Sequence, residues 1–139
     1  MPELSGDRIT FYECGRAIAA LAQLRLVQND AVVGQISYAT EGGTDSMGRT
    51  ENPVLAEDIT DGNTLVTIAV MTDGDIMTCI SSEAIAIDTR VQVADVGRVK
   101  AIDTNATPVA QNIIGRTREA VTAANRQILV RLYREVITQ

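Results

Sequence analysis

Short apolar runs broken by turn residues give the chain its pattern. Residues 9–12 combine β-branched and aromatic side chains and predict a short strand. Residues 17–26 are ambiguous between helix and strand and read as a turn or helical piece leading into a strand near Leu24. Residues 31–33 and 35–38 predict two strands flanking a bend at Gly34. Residues 39–52, rich in Gly, Asp and Ser, read as a surface loop. Residues 64–70, 76–80, 91–94, 98–102 and 128–132 predict further strands, with 84–87 a short apolar segment. In the last strand Ile128, Val130 and Leu132 supply the inward face and Arg131 the outward one.

Part of this pattern occurs twice. Met47-Gly48-Arg49-Thr50 precedes the strand that begins at Leu65, and Ile114-Gly115-Arg116-Thr117 precedes the strand that begins at Ile128. Spacing aligns Leu24 and Leu26 with Val91 and Val93, and Ala31-Val32 with Arg98-Val99. With one gap, Ile59-Thr60 falls opposite Val121-Thr122, Asn63 opposite Asn125, and Val66 opposite Ile128. The expectation is a mainly β, barrel-like or sandwich-like fold of two related β-rich halves with at most short helices. Residues 1–8 read as a flexible N-terminal arm, and 9–139 as a single β-rich domain with internal duplication.

Composition narrows the chemistry. Apolar residues make up 45% of 139, enough for a core, but aromatics are limited to Phe11, Tyr12, Tyr38 and Tyr133. The net charge of -6 opposes a general affinity for nucleic acid. Arg116, Arg118, Arg126, Arg131 and Arg134 nevertheless cluster late in the chain, as solvated side chains or as a contact for an acidic protein surface. No basic-then-apolar leader and no long apolar run suggests a signal peptide or membrane span. Cys14 and Cys79 read better as two buried thiols than as a bridge, which the sequence alone leaves open.

No catalytic set emerges. The chain has no histidine, which excludes the usual Ser-His-acid and Cys-His arrangements. Lys100, the only lysine, is flanked by Val99 and Ala101 and reads as solvent-facing. Asp58 and Asp61, Asp73 and Asp75, and Asp88 sit at turns, where carboxylates accept local hydrogen bonds, and no metal-binding loop is completed. Neither a catalytic residue nor a cofactor or metal site is expected. Arg49 and Arg116, repeated between the halves, and the neighbouring Arg118 are the candidate partner-binding residues. For the repeated pair, support of two equivalent turns is an equal alternative.

The later two-thirds of the chain resembles the phage capsid cement, or head decoration, proteins. The resemblance rests on Gly74-Asp75-Ile76, the run from Glu83 to Val91, Gly97-Arg98-Val99, Ile114-Gly115-Arg116-Thr117 and Ile128-Leu129-Val130-Arg131-Leu132, in that order. It implies a non-enzymatic protein on the outer surface of the capsid, stabilising contacts between major capsid subunits. It also implies a homo-oligomer, with a trimer favoured, and no direct contact with nucleic acid or membrane. The arm, residues 1–9, would reach over a neighbouring subunit. The alternative is an oligomeric phage tail or fibre-associated binding domain.

Overall fold

A computed structural model describes residues 6–139. The first half contains β1 (Tyr12–Ala17), β2 (Leu26–Asn29), β3 (Gln35–Tyr38), β4 (Gly48–Thr50), the helix α1 (Ala56–Asp61) and β5 (Leu65–Val70). The second half contains β6 (Ile76–Ile80), β7 (Arg90–Val93), β8 (Val99–Ala101), β9 (Ala110–Thr117) and β10 (Gln127–Thr138). The first five strands close into a barrel in the order β1-β3-β2-β4-β5; the others form a sheet in the order β6-β10-β9-β7-β8.

These are one pairing scheme used twice. β1 pairs antiparallel with β5 as β6 does with β10, β2 with β3 as β7 with β8, and β4 joins β2 to β5 as β9 joins β7 to β10. The parallel β1–β3 contact that closes the barrel recurs as a single parallel bridge, Ser81–Val99. The expected mainly β architecture with two related halves is therefore observed.

The repeat is held by the same atoms in each half. Thr50 Oγ1 donates to the Ala22 carbonyl and accepts from the Arg25 N–H, while Thr117 Oγ1 donates to the Ala86 carbonyl and accepts from the Thr89 N–H. Each threonine carbonyl also accepts an N–H from a left-handed residue, Leu24 at φ 59° or Asp88 at φ 58°. The glycine before each arginine is explained by close approach rather than by a turn. A Cβ on Gly48 would lie 2.3 Å from the Ala69 carbonyl oxygen, and one on Gly115 would lie 2.4 Å from that of Arg131.

Several sequence expectations change. Residues 39–52 are not a loop throughout, because Gly48–Thr50 forms a fully buried strand. The Gly-Arg-Thr elements are thus strands, not turns. Residues 31–33 turn outward instead of forming a strand, and β1 begins only at Tyr12 and runs to Ala17, where a helical piece was an option. The repeat register also shifts. Matching hydrogen bonds align Leu24 with Asp88, and matching bridges align Val54 with Val121 and Ile36 with Val99. Two length differences account for this: the stretch from Val99 to Gly115 is longer than its counterpart from Ile36 to Gly48, and α1, capped at its end by Gly62 at φ 82°, has no counterpart in the second half. The Val66–Ile128 alignment agrees with the strand register.

Gly6, Asp7 and Arg8 do not behave as a free arm. The Arg8 N–H donates to the Ile76 carbonyl at 2.7 Å, and the Ile76 N–H donates back to Arg8 at 3.1 Å. The rest of the predicted arm, residues 1–5, lies outside the described residues.

Two apolar cores follow. Val27, Ile36, Val54, Val66 and Ile68 fill the first barrel. The second core gathers Met77, Cys79, Val91, Val99, Ile114, Ile128, Val130 and Leu132, together with Leu26, Ala39 and Ala69 from the first half. The outer side of the first barrel is therefore part of the packing of the second half.

Replacing Thr50 or Thr117 by valine keeps the volume and leaves buried backbone groups unpaired. Each variant should lose about 1–3 kcal/mol in denaturant unfolding. Matching losses in the two halves are expected because the bonding is the same.

Candidate partner-binding face

The three candidate arginines are not brought together. Arg49 lies on β4 with 1% of its surface exposed. Its Nε donates to Glu51 at 2.9 Å, and its Nη1 donates both to Asp7 and to the Thr78 carbonyl at 2.9 Å. This geometry gives Arg49 the supporting role rather than the partner-facing one: it ties β4, the N-terminal segment and β6 together. Burial opposes its charge, but the hydrogen bond and charge of Glu51 and the charge of Asp7 outweigh that, raising its pKa above the ordinary value. Burial likewise pushes the Asp7 carboxyl up, yet the Thr78 hydrogen bonds and Arg49 prevail and hold it below its usual 3.8.

Arg116 occupies the same place in the second half, and its surroundings are reversed. Across the first barrel the register runs Leu26–Arg49–Ala69, all three buried. Across the second sheet the same positions read Arg90–Arg116–Arg131 on β7, β9 and β10. Directly opposed residues share a face, so the three arginines rise from one side of neighbouring strands spaced about 5 Å apart. Arg8, bridged to Ile76, extends the row beyond β6. Arg118, exposed, lies in the bend one residue past the end of β9.

Like charges at opposed positions are unfavourable. Arg90 is relieved by Glu135 at 3.1 Å and Arg116 by the Asp88 carboxylate at 3.4 Å, whereas Arg131 is exposed and has no ion pair among the described residues. Leu129 and Tyr133 flank Arg131 at alternate positions of β10 and are half-buried. The result is a cationic strip with apolar shoulders on a chain of net charge -6. Such a strip is suited to bind carboxylates on a protein surface through charge-assisted forks. Sequence reasoning found Arg116 and Arg118 and placed Arg131 in a loose cluster. It missed Arg90 and Arg8, which only strand pairing brings alongside.

The remaining chemistry is structural. Asp75 accepts from the Thr10 N–H and hydroxyl at 2.9 and 2.7 Å and fixes the approach to β1. Lys100 pairs with Glu41 at 2.9 Å. Among the described residues, no cluster of three or more Cys, Asp or Glu is arranged to hold a metal, and no helix is long and apolar enough to cross a membrane. A cleft of about 420 Å³ between the halves is lined by Thr44, Asn112, Ile113, Arg134, Glu135 and Val136. Its arginine is committed to Ser46, whose carbonyl accepts from Nη2 at 2.6 Å. Both cysteines are free thiols; Cys79 is buried as expected, but Cys14 is exposed. Burial pushes the Cys79 thiol up to about 12.

Arg49→Met removes the buried cation that Asp7, Glu51 and the Thr78 carbonyl share and should cost about 3–5 kcal/mol in unfolding experiments. Because the Asp7 pKa is depressed in the fold, its contribution is present above about pH 4 and is lost as pH falls through the folded value. Asp7→Asn should flatten the acid limb of the stability curve. In thiol titration of the native protein, Cys14 should react at once and Cys79 only after denaturation.

No family model matches the chain, and no curated protein is found to match it. Among solved structures it is similar to the crystal structure of the head fiber gp8.5 N base in bacteriophage phi29. The similarity has a TM-score of 0.60 at 12% sequence identity, covering 88% of this chain and 93% of that one. At that identity the likeness establishes a common fold, and it extends over nearly the whole of both chains.

Proposed function

We propose that the chain is a non-enzymatic virion module of the head-fibre-base kind. It sits through its arginine row on an acidic face of the major capsid protein, on the outer surface of the capsid. A homo-oligomer, with a trimer favoured, would present several such rows at once and raise avidity without new contacts. The observation that carries this reading is the fold shared almost end to end with a head fibre base. The internal repeat supports the choice of face. The row that the second half helps to bury in the first half is left open in the second, where arginines replace Leu26 and Ala69.

A head decoration protein that fills the capsid lattice and stabilises subunit contacts is the second reading. The ordered motifs from Gly74 to Leu132 favour it. Both readings require attachment to the head, and they differ in how many sites are filled and whether a shaft projects.

Electron cryomicroscopy of parent particles separates them. Sparse density at the foot of a projecting fibre is the expected result, a regularly filled lattice selects decoration, and density confined to the tail overturns both. The double variant Arg116→Glu with Arg131→Glu should fold normally yet bind purified heads at least about tenfold more weakly. Wild-type binding should fall as salt rises. Unchanged head binding would remove the arginine row from the interface.

A further inference from the structure

The repeat exposes a second difference between the halves. Strand register equates Tyr12 with Ile76 and Cys14 with Thr78. On β6 this edge is occupied: Arg8 exchanges two backbone hydrogen bonds with Ile76, Asp7 accepts from the Thr78 N–H at 2.6 Å, and Arg49 donates to the Thr78 carbonyl. Residues Ile76, Met77, Thr78 and Cys79 are accordingly buried.

On β1 the same edge has no strand partner among the described residues. Phe11 and Ala17 direct their bonding groups to β5, through Val70 N–H to Phe11 O and Ala17 N–H to Thr64 O, so Tyr12 and Cys14 point theirs the other way. There β3 begins to pair only at Arg16. Phe11, Tyr12, Glu13 and Cys14 are all exposed. Around them stand Val32 and Val33, at 57% and 86% exposure, in the turn whose Gly34 carbonyl accepts from Arg16. Across β1, Leu65 opposes Arg16 and is 52% exposed. Apolar surface is thus concentrated at an unpaired strand edge, the arrangement that accepts an added strand.

We propose that the β1 edge at Tyr12–Cys14 docks an extended segment of another protein. The segment carries a basic side chain opposite Glu13 and apolar side chains on either side of it. The precedent is the chain's own Asp7 and Arg8 on β6. The charge at position 13 defines the occupant. A second copy using all the free Tyr12 and Cys14 groups must pair antiparallel about Glu13, which sets two Glu13 carboxylates directly opposite each other. Shifting that register by two residues meets either Thr10, whose N–H is held by Asp75, or Arg16, whose N–H is held by Gly34. Lysine or arginine opposite Glu13 removes the conflict, and flanking apolar side chains fall on the outer side with Tyr12. This inference does not depend on the capsid-attachment reading, because it uses neither the arginine row nor its partner.

The test is amide hydrogen exchange by NMR on the full chain. The probe is a blocked pentapeptide with central lysine and valine on either side, at up to about 1 mM. Exchange at Tyr12 and Cys14 should slow about tenfold or more. The glutamate-centred peptide should give no protection, and Glu13→Lys should invert that preference. Absence of protection at this concentration overturns the proposal. So does protection at Ile76 and Thr78 instead, equal protection by both peptides, or protection without peptide that grows with protein concentration, which would make a second copy the occupant.

Discussion

A single buried guanidinium organises how the two halves meet. Arg49 stands on the outer side of the first barrel, yet its partners come from three places: Glu51 two residues on, Asp7 before the barrel begins, and the Thr78 carbonyl in the second half. A buried charge is costly unless it is paired and hydrogen-bonded. That requirement fixes geometry as well as energy, because the planar group satisfies all three partners only when β4, the N-terminal segment and β6 hold one relative position. Leu26 and Ala69, beside it in register, add the apolar contact that excludes water.

The same scheme without its cover produces the surface chemistry. One row of positions is buried Leu-Arg-Ala in the first half and open Arg-Arg-Arg in the second; one strand edge is covered in the second half and has no strand partner among the described residues in the first. Each half therefore leaves open what its counterpart has filled. The two surfaces proposed for partner contact are those where the equivalence of the halves fails.

Much of this architecture was legible in the sequence, for identifiable reasons. The strands at 65–70, 76–80 and 128–132 are short runs rich in apolar and β-branched residues without Gly or Pro, and the Gly-Arg-Thr repeat marks equivalent strands because close backbone approach demands glycine and the threonine hydroxyl bridges two backbone groups. β4 was hidden because its three residues follow a Gly- and Asp-rich stretch and owe their strand character to β2 and β5 on either side. Arg49 and Arg116 look alike in sequence, and only tertiary cover distinguishes an internal clamp from an open cation. Arg90 and Arg8 join the row through pairings with strands far along the chain, which no local pattern reports.

The placement of Asp7 also bears on how the chain acquires its structure. Each half pairs largely within itself, so the first barrel can form while the second is still unfolded. Asp7 finds Arg49 42 positions later and Thr78 71 positions later. Contacts across such separations form late, since the intervening chain must first be ordered. The earliest described residues in the sequence are thus among the last to lock. Until they do, the edge of β6 lacks the cover that Asp7 and Arg8 give it in the finished fold.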